Sequence, residues 1–272
     1  MLANSSLLSV LIRTRDIERH LNELLRSLSH QSLRPYEMII VDNYSTEGRL
    51  AEMIDLLITS KKALFNSKIR IKIVPLSDGE FSYAYSANAG IYAAEGNLVC
   101  ITNGHCLPTS EHWLEKGASH FVDESVAGVG GYTLPHEQGT FWEKLAFNWS
   151  WRRRNELSKA YVRDNYFSTT NCILRKKLWQ KYPFDEKMPE LIPETGKFGG
   201  EDYDWSLEML ARGFRLIVEP GFDVYHSHGE TVAELASKYF AWRRIRKNLE
   251  LFKRPRESFT RLQHTNPKYL VL

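Results

Sequence analysis

Three short polar clusters in this chain each follow an apolar run rich in β-branched residues: Arg13-Thr14-Arg15-Asp16, Asp42-Asn43 and Asn103-Gly104-His105. Ligands of an open parallel sheet bind outside the carboxyl ends of its strands, so these clusters point to one binding site in the N-terminal half. Asp42 could accept hydrogen bonds from a ribose or a uracil-type base, and Thr14 could offer backbone groups to that base. Neither a GxxxxGK(S/T) loop nor a GxGxxG turn follows the first strand. That disfavours a phosphate-loop kinase and a dinucleotide dehydrogenase, and leaves carboxylates, a metal and loop amides to hold any nucleotide.

Two further clusters lie in the second half. In Gly199-Gly200-Glu201-Asp202, two glycines let a ligand approach the backbone and two acids open a helix. Acids at a helix N-terminus cap it and favour its dipole. The other reading is that one carboxylate acts as a general base on a hydroxyl within hydrogen-bond reach. In Tyr225-His226-Ser227-His228 the histidines are two apart, on one face of a strand, a spacing suited to a metal or a phosphate. Between these regions, Trp142, Trp149 and Trp151 with Arg152 to Arg154 form either a wall for a sugar or lipid-phosphate acceptor or an aromatic helix packed on the sheet.

The elements that must position these groups follow from hydropathy. Residues 7–12 read as a buried strand and 17–28 as an amphipathic helix with Asp16 as N-cap. Strands are expected at 37–41, 69–75 and 97–102, with helices at 49–60 and 86–94 between them. This alternation argues for a mostly parallel sheet with crossover helices. Further on, Gly128 to Gly131 and Gly139 mark turns, and 142–161 reads as a Trp- and Arg-rich helix. A short strand at 172–174, a helix at 201–212 stopped by Gly213, and strands at 214–218 and 224–225 close the domain. A long helical stretch, 231–252, turns strongly basic.

Composition is that of a globular protein: 272 residues, 43% hydrophobic and 25% charged, with a formal charge of +3. That charge is too small to imply nucleic-acid binding. Three cysteines, Cys100, Cys106 and Cys172, form no CxxC pair, so a reducing compartment is expected. The run at 7–12 is too short for a signal peptide or a membrane span.

Taken in order, the landmarks resemble those of the inverting family-2 glycosyltransferases with the GT-A fold. Residues 39–46, IIVDNYST, resemble the family's strand and VDDGST-like turn, and Ser86-Ala87-Asn88-Ala89-Gly90 resembles the helix before the DxD strand. Asn103-Gly104-His105 falls where DxD belongs, Gly200-Glu201-Asp202 looks like the ED motif, and Val224-Tyr225-His226 like the late histidine segment. The resemblance implies an α/β GT-A domain, a Rossmann-like, mostly parallel sheet flanked by helices, over residues 1–232. Its nucleotide-binding half would be about 1–108 and its acceptor half about 109–232, with 233–272 a basic aromatic helical tail.

By the same resemblance Arg13, Thr14, Asp16, Asp42, Asn88, Asn103, Gly104 and His105 contact a nucleotide-diphosphate sugar donor. Asp202 is the catalytic base, and Glu201 orients the acceptor or the loop. Trp142, Trp149 and Gly200 face a glycan or lipid-linked acceptor. His105 and His226 hold a divalent cation, Mn or Mg. Asn103 and His105 depart from the two acids usual in the family, so His105 could instead contact the diphosphate without metal, or turnover could be lost in a domain that only binds a nucleotide sugar or glycan. The implied setting is cell-surface polysaccharide or glycolipid synthesis in the cytoplasm, peripheral at the inner membrane face. The tail is read as an interfacial helix, a packed helix or a homodimer contact.

Overall fold

The computed structural model describes residues 7–146, 161–162 and 167–272. Its strands are β1 (Leu8–Thr14), β2 (Glu37–Asn43), β3 (Arg70–Leu76), β4 (Leu98–Asn103), β5 (Leu107–Pro108), β6 (Val126–Gly130), β7 (Thr133–Leu134), β8 (Tyr161–Val162), β9 (Asn171–Arg175), β10 (Arg215–Val218), β11 (Val224–Tyr225) and β12 (Leu270–Val271). Nine of them form one sheet in the order β12-β3-β2-β1-β4-β9-β6-β10-β8. Within it β3, β2, β1, β4, β6 and β10 run in one direction, and β12, β9 and β8 run against them. The sheet is therefore mostly parallel. The short strands β5, β11 and β7 form a second sheet.

Strand alternation sorts the core into two layers. Val10 and Ile12 of β1, with Met38 and Ile40 of β2, pack with Leu21, Leu24, Leu25 and Leu28 of the Leu21–Ser29 helix. Leu11, Ile39 and Val41 point the other way, against the small residues of the Tyr83–Ala93 helix and against Trp179 and Trp205. An added Cβ at Gly90 would lie 2.3 Å from Leu11 Cδ1, so the small residues of this helix let it sit directly on the sheet.

An ionic cluster built on the buried Lys72 and Glu37 closes the strand ends farthest from the polar loops. Lys72 lies 2.9 Å from both Glu37 and Glu95, and Glu37 also accepts the Ser9 hydroxyl at 2.8 Å.

Some elements differ from the sequence expectation. The first helix begins at Leu21, not Ile17, and Asp16 does not cap it. Asp16 instead adopts φ 54°, and its carboxylate accepts the Ser45 N–H at 2.8 Å. Gly128 to Gly130 belong to strand β6 in the middle of the sheet rather than to a turn. An added Cβ at Gly128 would meet Phe167 at 2.5 Å, so the glycine makes room for a ring and does not mark a reversal.

The 233–272 segment is more than a helical tail. The Val232–Leu249 helix opens with a capping box of Thr231 and Glu234 and buries Ala241, Ile245 and Leu249. Ile245 and Leu249 pack against Tyr203, Met188 and Ile192. Arg254 and Arg256 then pair with the buried Asp204, Glu208 and Asp185, and β12 adds an antiparallel edge strand to β3. Among the described residues, no helix is long and apolar enough to cross a membrane.

Candidate active site

The ends of β1 and β4 open onto a cavity of about 730 Å³, closed on the far side by the start of the Glu201–Ala211 helix and by the Val232–Leu249 helix. Arg13, the next-to-last residue of β1, ties this space together. Its guanidinium donates to the Tyr83 carbonyl at 3.3 Å, to Asn103 Oδ1 at 3.3 Å and to Thr169 Oγ1 at 3.0 Å. It also lies 3.8 Å from Glu201 Oε1. One cation thus fixes four separate loops around the cavity.

Gly199 (φ 75°) and Gly200 (φ 137°) hold backbone conformations that side chains rarely adopt, and they turn the chain sharply into the helix of the two acids. Glu201 accepts the Gly200 N–H at 2.9 Å and the Thr169 hydroxyl at 2.9 Å. Asp202 accepts the Thr169 N–H at 3.1 Å and the Tyr203 N–H at 2.7 Å. Glu201 and Asp202 therefore do serve the helix start, yet both also line the cavity. Burial pushes Asp202 from 3.8 up to about 7, with the neighbouring Glu201 charge adding to it. A carboxyl group with that value gains and loses a proton near neutrality, as a general base must.

Opposite the acids stand three histidines. The pairing of β11 with β5 sets Tyr225 against Leu107, which carries the loops on either side together. The rings of His105 and His226 lie 4.8 Å apart, those of His105 and His228 5.0 Å, and those of His226 and His228 4.5 Å. His105 Nδ1 bonds to the Glu18 carboxylate. The Nε2 atoms of His105 and His226 are buried and have no hydrogen-bond partner among the described residues. Burial, followed by the nearby His105 and His228, holds His226 well below 6.5; burial and Lys238 lower His228. Imidazole nitrogens gathered this closely suit a divalent metal ion.

Of the residues singled out in the sequence, Arg13, Thr14, Asn103, His105, Gly200, Glu201, Asp202 and His226 line this one cavity. Asp42 does not; it lies beneath the loop, where its Oδ1 accepts the Asp16 N–H at 2.9 Å and burial pushes it up to about 7. The cavity wall at that strand is Asn43, because successive residues of a strand face opposite sides. Asp16 likewise shapes the loop from outside the cavity. Gly104 is a spacer: an added Cβ would lie 2.6 Å from Thr14 Oγ1.

Asn88 is the clearest correction to a donor contact. It is fully buried and accepts from Trp179 Nε1 at 2.8 Å and from the Phe184 N–H at 3.1 Å, so its amide is spent on packing. Trp142 is half-exposed and does not line the cavity, while Trp149, Trp151 and Arg152 to Arg154 lie outside the described residues. The structure adds Glu18, Tyr83 and Thr169 to the site, together with Lys197, Trp242 and Arg246 at its mouth, and it brings in His228, the second histidine of the pair read from the sequence as suited to a metal or a phosphate.

A model of glycosyl transferase family 2 matches residues 9–182. Dolichyl N-acetyl-alpha-D-glucosaminyl phosphate 3-beta-D-2,3-diacetamido-2,3-dideoxy-beta-D-glucuronosyltransferase of Methanococcus voltae is 25% identical over 223 residues, covering 78% of this chain and 64% of its own. The O-antigen chain rhamnosyltransferase WbaN of Salmonella anatum is 22% identical over 226 residues, covering 80% and 65%. The chain thus spans just under two thirds of the length of these curated relatives. Among solved structures, the mannosyltransferase PcManGT from Pyrobaculum calidifontis, in complex with GDP-Man and Mn2+, superposes with a TM-score of 0.62 at 17% identity, over 92% of this chain and 66% of that one. GalNAc-T7 with UDP, GalNAc and Mn2+ gives 0.61 at 14% identity, over 88% and 48%. These last likenesses speak for the GT-A fold alone. With the family match running across more than half of its length, the chain belongs to glycosyl transferase family 2.

Proposed function

We propose that the chain is an inverting glycosyltransferase that moves a sugar from a nucleoside-diphosphate donor to a hydroxyl acceptor in cell-surface polysaccharide or glycolipid assembly. The observation that carries this reading is that two kinds of group line one cavity: a carboxyl group raised to about 7, Asp202, and a cluster of three histidines. Arg13, Thr14, Asn43 and Asn103 offer the donor polar contacts from the strand ends, within the half at about 1–108. Asp16, Asp42 and Gly104 hold those loops in shape.

In the reaction, Asp202 takes the proton of the acceptor hydroxyl. The acceptor oxygen forms its bond to the anomeric carbon on the face opposite the nucleotide. The bond from that carbon to the diphosphate oxygen breaks, and its electron pair leaves with the diphosphate. Glu201 stays fixed by Gly200 and Thr169 and keeps the loop that carries Asp202 in register. His105 and His226 fit a divalent cation because their buried Nε2 atoms have no partner among the described residues. When bound, such an ion neutralises charge developing on the leaving diphosphate.

The mouth, lined by Lys197, Trp242 and Arg246, suits an acceptor that presents rings and an anionic group. The two curated relatives are named as acting on a dolichyl-linked phosphate and in O-antigen chains, which agrees with a lipid-linked acceptor. The exposed Tyr239 and Phe240 beside Arg243 and Arg244 would rest at the cytoplasmic membrane face.

A thermal-shift screen of nucleotide sugars, followed by measurement of nucleoside-diphosphate release with wild type and Asp202→Asn, tests the reading. Release that depends on an acceptor and collapses in Asp202→Asn is expected. Donor binding without release from any nucleotide sugar and acceptor pair would favour a binding domain instead.

A further inference from the structure

The histidine cluster has features that a carboxylate-based cation site would lack. The ligand atoms of His105, His226 and His228 all lie within 4.8 Å of one another. An ion bound tetrahedrally at ~2.0–2.1 Å needs nitrogens about 3.3 Å apart, so movements of about an ångström would close the set. Each ring is held by its own support. Glu18 binds His105 Nδ1, which leaves the Nε2 lone pair toward the cluster. The buried Glu143 carboxylate accepts the N–H groups of His228, Gly229 and Glu230 at 2.9, 3.0 and 3.2 Å, fixing the loop of the third ring. The His226 N–H donates to the Leu134 carbonyl at 2.6 Å. A buried nitrogen without a partner is costly, and among the described residues the Nε2 atoms of both His105 and His226 are left in that state.

We propose that His105, His226 and His228, with Glu18 behind His105, form a three-imidazole centre that selects a nitrogen-preferring ion of the zinc or cobalt class over magnesium. This deepens the transferase reading and rests on it only for the ion's place beside the diphosphate; the donor set stands on geometry alone. Magnesium requires octahedral oxygen ligands and gives up water reluctantly, and three imidazoles supply none of those oxygens. Zinc and cobalt bind imidazole well and accept three protein ligands with an open position. Glu18 acts as the carboxylate partner that orients a ligating histidine and raises its basicity.

The test is titration of the metal-stripped full chain with cobalt(II), read by visible absorption, with zinc, manganese and magnesium as competitors and no sugar present. One cobalt per chain is expected, with the intense absorption of a four- or five-coordinate site. Zinc should displace it and a roughly thousand-fold excess of magnesium should not. His228→Asn should weaken cobalt binding at least about tenfold and alter the spectrum, and Glu18→Gln should weaken it about 10- to 100-fold with circular dichroism unchanged. His105→Asp should narrow the zinc-to-manganese affinity ratio at least about tenfold by supplying an oxygen donor. Displacement by magnesium at concentrations similar to zinc, or His228→Asn and Glu18→Gln folding normally and binding cobalt as wild type does, would overturn the proposal. Cobalt binding with this pattern in a chain that releases no nucleoside diphosphate would uphold the centre and reject the transferase reading. Turnover indifferent to chelation, with no cobalt bound, would do the reverse.

Discussion

Replacing Asp202 by Asn should trade activity for stability in a way that depends on pH. Asp202 is 7% exposed, and burial together with Glu201 lifts it from 3.8 to about 7. In the unfolded chain the carboxyl ionises near its ordinary value, so across the interval from 3.8 to about 7 the folded state holds the extra proton. Stability from this group is therefore complete below about pH 3.8, drains away as pH rises to about 7, and is flat above it. Three units at ~1.36 kcal/mol each come to about 4 kcal/mol. Asn cannot ionise and lacks this slope.

Urea unfolding of both proteins at about pH 4.5 and about pH 8 reads the difference directly. The wild type should lose about 3 kcal/mol relative to Asp202→Asn between those conditions, since about 2.5 units of the interval lie above pH 4.5. At each pH the variant also carries a constant penalty, since an amide offers one acceptor where Asp202 accepts from both Thr169 and Tyr203. That constant cancels in the comparison. Turnover should fall roughly 100- to 10,000-fold in the same variant. Parallel stability curves for the two proteins would refute the idea that Asp202 is held protonated by burial, and full turnover in Asp202→Asn would remove it from the chemistry.

If Asp202 is the base, kcat/KM should rise about tenfold per pH unit below about 7 and level off above it, with a profile that is flat in Asp202→Asn at its residual rate. Asn88→Ala should lower stability by about 3 kcal/mol, since it strands the Trp179 and Phe184 donors, while the donor affinity of the folded variant stays at the wild-type value; calorimetry and nucleotide titration check both. Arg254→Met leaves Asp204 and Glu208 short of a partner inside the fold and should cost about 3–5 kcal/mol, measured as a shift in the urea midpoint. Gly104→Ala forces a Cβ into Thr14 and should cost about 1–3 kcal/mol, with weaker cobalt binding because the loop carrying His105 moves.

The sheet was readable because its signals are local. The apolar runs that became β1 to β4 and the small-residue helix at Tyr83–Ala93 follow from hydropathy and spacing within about ten residues. β6 was hidden, since Gly128 and Gly130 carry no β-propensity; they are in a strand because β9 and β10 flank them and Phe167 needs the space. The same contrast runs through the site. The order of polar clusters announced where loops would converge, but not which side chain of each would face the cavity. Asp42 and Asn43 are equally polar, and only the register of β2 turns Asn43 inward. Asn88 was a donor contact by family resemblance alone, and the partners that hold it, Trp179 and Phe184, lie more than ninety positions away.

The C-terminal segment shows how far the site depends on distant chain. Asp204 and Glu208 project from the same helix as Asp202, two and six residues on, and both are buried. Buried carboxylates need compensation, and it comes from Arg254 and Arg256 of the segment that follows the Val232–Leu249 helix. That helix presses Ile245 and Leu249 against Tyr203, next to Asp202. Its other surface sends Lys238, Trp242 and Arg246 to the cavity. The basic residues of this helix and the segment after it are thus divided. Some neutralise acids on the helix that bears Asp202, and others form the wall through which an acceptor would enter. Removing residues from about 250 onward would strip the first group and leave the second. The cavity mouth would keep its cations while the helix under Asp202 lost its counter-charges, so the base would lose its support before the acceptor wall did.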